Sequence, residues 1–131
     1  RKAQDPFAID LNGAVDILML KVSPLGGIQR AKAIAAHHKL PVVVSSALES
    51  AVGISHGLKL AAALPELNYA CGLGTGKLLA NDVADLPILD GRMKVKSVDP
   101  SGMLNLQAAP ERRTWWENRI RDSFEVWQAR N

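Results

Sequence analysis

Short apolar runs alternate along this chain with longer stretches whose apolar residues recur every three or four positions, which predicts strands joined by helices. The first run, Ile17 to Lys21, is too short for a helix and apolar at successive positions, as expected of a parallel strand covered on both faces. With a period of two, Ile17, Met19 and Lys21 share its inner side, while Leu18 and Leu20 face an outer helix. Gly26-Gly27 then opens a helix over about Ile28 to His38, with Ile28, Ala31, Ala35 and His38 along one face. Pro41 precedes a second strand, Val42 to Val44, whose branched side chains favour extended backbone. Ser46 and Glu49 match the S-x-x-E capping box, so the next helix is expected over about Ser50 to Leu64. Gly53 and Gly57 fall one turn apart on it and serve close packing. Pro65 ends that helix, and Tyr69 to Cys71 reads as a third short strand.

Ahead of the first strand, Pro6 suits the opening turn of a short helix through about Leu11, stopped by Asn12-Gly13. Lys21 and Ser45 are 24 residues apart, and Ser45 and Gly72 are 27 apart, each close to one βα unit. The fold class is therefore α/β with parallel strands. After Leu86 the pattern changes. Asp90-Gly91 is a hairpin signal between short extended runs, and Pro110 can start a final helix with Trp116, Ile120, Phe124 and Trp127 as an apolar stripe. The chain divides on this reading into a βα segment, residues 1–86, and a tail, residues 87–131, whose helix packs on the rest of the protein.

At 131 residues and 47% hydrophobic content, one domain with a modest core is expected. The apolar stretches are far shorter than the roughly 20 residues of a membrane span, and no basic-then-apolar leader opens the chain, so a cytoplasmic setting without a membrane partner is expected. Cys71 is single and lies in an apolar run, the setting of a small buried hydrophobe. The net charge of +3 is modest, and only Arg112, Arg113, Arg119 and Arg121 cluster, so no nucleic-acid partner is expected. The opening RKAQDP resembles the middle of a loop, and a fragment of a longer protein is expected.

Candidate chemistry gathers at three strand ends. Lys21 closes the first apolar run, Ser45 and Ser46 follow the second, and Gly72 follows the third. The turn GLGTGK has glycines that could approach a phosphate, but it lacks the spacing of either the Walker loop or the dinucleotide fingerprint. His37, His38 and His56 have no second ligand at metal spacing. No histidine accompanies Ser45 and Ser46 at a strand end, so they read as ligand-positioning groups and not as nucleophiles. A loop leading from a strand into a helix offers free amides and a favourable dipole to a carboxylate. Glu49 is the cap partner of Ser46. By composition alone Lys21 is a solvated lysine; in a dry barrel mouth it could transfer a proton or stabilise an anionic intermediate.

Taken together, LKVSPLGGIQRA, VVVSSALESAVGI and ACGLGTGKLLANDV resemble the last three barrel strands of the o-succinylbenzoate synthase family, of the enolase superfamily, in its actinobacterial form. The resemblance implies the C-terminal part of a (β/α) TIM-type barrel, about three parallel βα units followed by the hairpin-like tail and C-terminal helix. It implies a lyase that removes water from a succinyl-hydroxycyclohexadiene carboxylate through an enediolate, a step of menaquinone biosynthesis. It also implies a magnesium cofactor whose ligands are expected upstream of this chain. Lys21 matches the family's catalytic lysine on the sixth strand. Ser45, Ser46, Ala47 and Gly72 match the segments that hold the succinyl end of the small carboxylate substrate. The family's K-x-K base has only Lys94-Val95-Lys96 as a match in spacing, and that pair follows the last barrel strand beside a hairpin turn, where it is a decoy. The partner implied is the missing N-terminal half of the same protein. Two other readings stay open: an N-succinylamino acid racemase or dipeptide epimerase, an isomerase on the same scaffold, and a non-catalytic binding or assembly segment.

Overall fold

The computed structural model describes residues 5–102 and 107–130. The loop-like opening at residues 1–4 lies outside the described residues. Two compact units divide at Pro100 and Ser101.

The first unit is built on two parallel strands, β1 (Leu18–Leu20) and β2 (Val42–Val44), paired Leu18 to Val42, Met19 to Val43 and Leu20 to Val44. The chain leaves β1 through Lys21 into a four-residue helix, α1 (Val22–Leu25), that the sequence pattern did not announce. Gly26 closes α1 with φ of 89°, a left-handed conformation that suits glycine, and its amide and the next return to the carbonyls of Ser23 and Val22. Helix α2 (Ile28–His38) follows with the bounds expected. Helix α3 (Ala51–Ala63) comes after β2 and is ended by Leu64 and Pro65.

Leu20, Val22, Ala31, Ile34, Val42, Val44, Ile54, Leu58, Leu60 and Leu73 form the buried core. The outer side of the strand pair is thus covered by α2 and α3, as the alternation in β1 predicts. Leu20 is 2% exposed and its neighbour Met19 62%. Gly57 serves close packing: a Cβ there would stand 2.7 Å from Leu73 Cδ2.

Three expected elements differ. Residues 6 to 11 form turns and not a helix, because Asp5 holds the Phe7 amide through its side chain at 3.0 Å and the Ala8 amide through its carbonyl at 3.3 Å. The third strand shrinks to one parallel bridge between Ser45 and Gly72, while Tyr69 and Ala70 stay exposed and outside any ladder. The capping box is not used either. Helix α3 is preceded by Ser50, which makes no side-chain cap bond, and Ser46 and Glu49 turn to other partners described below.

The hairpin is present, with β3 (Ile88–Leu89) antiparallel to β4 (Arg92–Met93) and Asp90 and Gly91 both at positive φ, 49° and 72°. Met93 packs against the core of the first unit. The second unit is dominated by helix α4 (Pro110–Gln128), which begins with proline at its first turn. Trp116, Ile120, Phe124 and Trp127 on α4 are all exposed.

Candidate functional site

Parallel pairing brings the ends of β1 and β2 level, so the residues that follow each strand emerge side by side. The Ser45 amide donates to the Leu20 carbonyl at 2.9 Å, which sets the serine beside Lys21. The Gly72 amide donates to Val44 at 2.8 Å, and the Gly72 carbonyl accepts the Ser46 amide at 3.1 Å. Three chain segments separated by 24 and 27 residues thereby meet at one end of the sheet.

Lys21 lies across this junction. Its ammonium donates to Ser45 Oγ at 3.2 Å and, more closely, to the Ser46 carbonyl. Both acceptors are uncharged, and each hydrogen bond from a charged donor contributes about 1.5–3 kcal/mol. The lysine is therefore held at the strand mouth, half-buried, with its charge not cancelled by these two partners. Ser45 Oγ also donates to the Gly72 carbonyl at 3.4 Å. Gly72 admits no side chain readily, because a Cβ would come within 3.0 Å of that hydroxyl.

Ser46 is 3% exposed and makes two further contacts, to the Gly72 carbonyl at 3.3 Å and to Thr75 Oγ1 at 2.6 Å. Of the residues expected at the site, Lys21, Ser45, Ser46 and Gly72 are brought together. Ala47 is the exposed continuation of the same loop. Glu49 accepts a hydrogen bond from Ser23 Oγ on α1, so it ties the loop after β1 to the loop after β2 and does not cap α3.

The start of α3 holds a group that the sequence did not point out. Asp82 accepts the Ala51 amide through both carboxylate oxygens, at 3.0 and 2.8 Å, and its Oδ1 also accepts the Val83 amide at 2.6 Å. A helix N-terminus favours an anion, and here the anion comes from the chain itself. Of the amides on the loop and helix start that were expected to face a carboxylate ligand, that of Ala51 is thus taken by Asp82. In the sequence Thr75 stands within a glycine turn, and Asp82, 31 residues from Ala51, belongs to no local pattern.

Among the described residues no group of three or more His, Cys, Asp or Glu side chains could hold a metal ion. His37 and His38 pack against the segment after Asp5, while His56 is exposed. His38 Nε2 lies 2.7 Å from the Pro6 carbonyl, and His37 meets Phe7 edge-on at 5.5 Å. A cavity of about 290 Å³, lined by Ala51, Ile54, Leu73, Lys77, Asp82 and Met93 among others, lies between α3 and the loop after Gly72; Lys21, Ser45 and Ser46 do not line it.

Lys21 and the serines thus gather beyond the C-terminal ends of adjacent parallel strands, the place where α/β scaffolds carry their sites. The chain belongs to the enolase C-terminal domain-like family, whose model matches residues 9–103. Among curated proteins it is 50% identical over 134 residues to the o-succinylbenzoate synthase of Mycobacterium ulcerans, covering 100% of this chain and 41% of that protein. It is 52% identical over 130 residues to the o-succinylbenzoate synthases of Mycobacterium leprae and Mycobacterium tuberculosis, covering 96% of this chain and 39% and 40% of theirs. The chain thus spans about two fifths of the length of the curated relatives it matches.

Proposed function

We propose that this chain is the C-terminal part of the barrel of an o-succinylbenzoate synthase, a lyase that removes water from a succinyl-hydroxycyclohexadiene carboxylate. The observation that carries the reading is the Lys21 ammonium bound to Ser45 Oγ and Ser46 O at the joined strand ends. The identity over essentially the whole chain to mycobacterial proteins of that name supports it.

On this reading, a proton leaves the carbon beside the substrate carboxylate, negative charge collects on the carboxylate oxygens, and hydroxide departs with a proton as water while the ring becomes aromatic. Lys21 supplies the fixed positive charge beside that developing anion. Such a preorganised charge acts more strongly at a partly dry mouth than in water. Ser45, Ser46, Ala47 and Gly72 form the edge against which the succinyl carboxylate is held.

The described residues offer no metal cage. On this reading, the magnesium ion that the family implies would be held by residues in the remainder of the protein. That remainder also supplies the proton acceptor, since Lys94 and Lys96 are exposed beyond the hairpin. The free edge of β1 beside an open groove of about 440 Å³, lined by Ile9, Leu18, Met19, Leu25 and Ile34 among others, is where a preceding barrel strand would sit. No helix among the described residues is long and apolar enough to cross a membrane, and the proposed setting is the cytoplasmic step of menaquinone biosynthesis.

The test is Lys21→Ala in the complete protein, followed by product formation under steady state. Loss of a positioned charge or proton donor predicts a fall in turnover of about 10²–10⁴-fold with the circular dichroism spectrum unchanged. Turnover near that of the parent would remove Lys21 from the mechanism.

A further inference from the structure

Residues 72–82 are tied to the segment that carries Ser45 and Ser46 at two points beyond the strand bridge. Thr75 Oγ1 lies 2.6 Å from Ser46 Oγ. Asp82 accepts the Ala51 amide through both oxygens. Between those two anchors the chain includes Leu48 at φ of 59°, a left-handed conformation that a residue with a Cβ adopts only under outside constraint. Leu48 is also exposed, so packing of its side chain does not supply the constraint. The anchors do.

The same loop bears on Lys21. The ammonium rests on the Ser46 carbonyl and the Ser45 hydroxyl, and the Ser46 hydroxyl rests on Thr75. Thr75 therefore reaches the lysine through one residue. Asp82 acts differently. By accepting the Ala51 amide through both oxygens at the start of α3, it fixes the far end of the Ser45–Ala51 segment.

We infer that Thr75 and Asp82 are positioning residues that fix the Ser45–Ala51 segment against Lys21. The inference rests on the proposed function for what the mouth binds; how the mouth is held stands on the two anchors, beside the Glu49–Ser23 tie.

The experiment uses the complete protein, with steady-state kinetics on the dehydration substrate and hydrogen exchange of the peptide spanning residues 45–53. Thr75→Val keeps the shape and removes the hydroxyl. It should raise KM about tenfold while kcat stays within about threefold, the pattern of lost binding in both ground and transition states. Thr75→Ser, which restores the hydroxyl, should return KM to within about twofold of the parent. Asp82→Asn keeps an acceptor and drops the charge, and should raise KM about threefold; it serves if Thr75→Val does not fold. Equal KM for the valine variant and the parent, or for the valine and serine variants, would overturn the inference. If the parent shows no dehydration, the proposed function fails and exchange decides the anchors separately. Faster exchange across residues 45–51 in the variants supports the anchors, and exchange at the parental rate refutes them.

Discussion

Leu20 and Met19 are neighbours of similar size and hydrophobicity on one strand, yet the first is 2% exposed and the second 62%. The difference lies in what the chain provides to cover each side of the strand pair. On the outer face, α2 and α3 bring Ala31, Ile34, Ile54, Leu58 and Leu60 over Leu20, Val42 and Val44. On the inner face, Ile17 and Met19 meet no opposing wall among the described residues, and Lys21 stands at its top. A sequence that is apolar on both sides of a strand specifies two covers, and these residues supply one. The proposed site residue Lys21 stands on this same uncovered side.

The outer cover should accordingly be where stability is concentrated. Leu60 is fully buried on α3 beneath the strands. Leu60→Ala removes a close-packed side chain and leaves a cavity, at a cost of about 2–5 kcal/mol, which for a small domain is a large part of the whole. Denaturant unfolding followed by circular dichroism would read this as a lowered midpoint. A cost below about 1 kcal/mol would mean that the outer face is not the close-packed layer described.

Much of this division was legible in the sequence, and the failures share a cause. Helix α2 and strand β2 have the expected bounds because their signals are local: helical spacing from Ile28, branched residues at Val42 to Val44. The hairpin at Asp90-Gly91 is local too. The meeting of Lys21, Ser45, Ser46 and Gly72 was legible through the βα repeat, which sets strand ends side by side whatever the loops contain. The Ser46 and Glu49 capping box failed because both side chains found distant partners, Thr75 and Ser23, that no window of a few residues contains. Asp82 was missed for the same reason. The strand at Tyr69 to Cys71 failed because extended propensity needs a ladder, and only Ser45 with Gly72 completes one.

Met19 sharpens the contrast of faces, because its surroundings should depend on how much of the protein is present. In this chain alone, Met19→Ala removes an exposed side chain and should change stability by less than about 0.5 kcal/mol. If the complete protein forms the proposed barrel, whose inner face is filled by side chains, the same change should cost about 2 kcal/mol or more. Parallel denaturant titrations of both forms make the comparison. Equal small costs in both would show that the inner face is never covered and would sink the barrel reading of β1.

The smallest effect is expected beyond the hairpin, at the one lysine pair whose spacing imitates the family's base. Lys94 and Lys96 are exposed, as is Val95 between them, so the run has no buried side to orient it toward the strand mouth. Lys96 donates to the Asp85 carbonyl at 3.0 Å, an exposed bond to a neutral acceptor, and such bonds contribute little when water competes for both groups. A proton acceptor must reach the reacting carbon, whereas the groups around Lys21 come from residues 45, 46 and 72. Lys94→Ala and Lys96→Ala in the complete protein should each leave turnover within about twofold of the parent and stability within about 0.5 kcal/mol. A loss of turnover of about 100-fold from either, with stability unchanged, would place the base on this segment and overturn its assignment to the remainder of the protein.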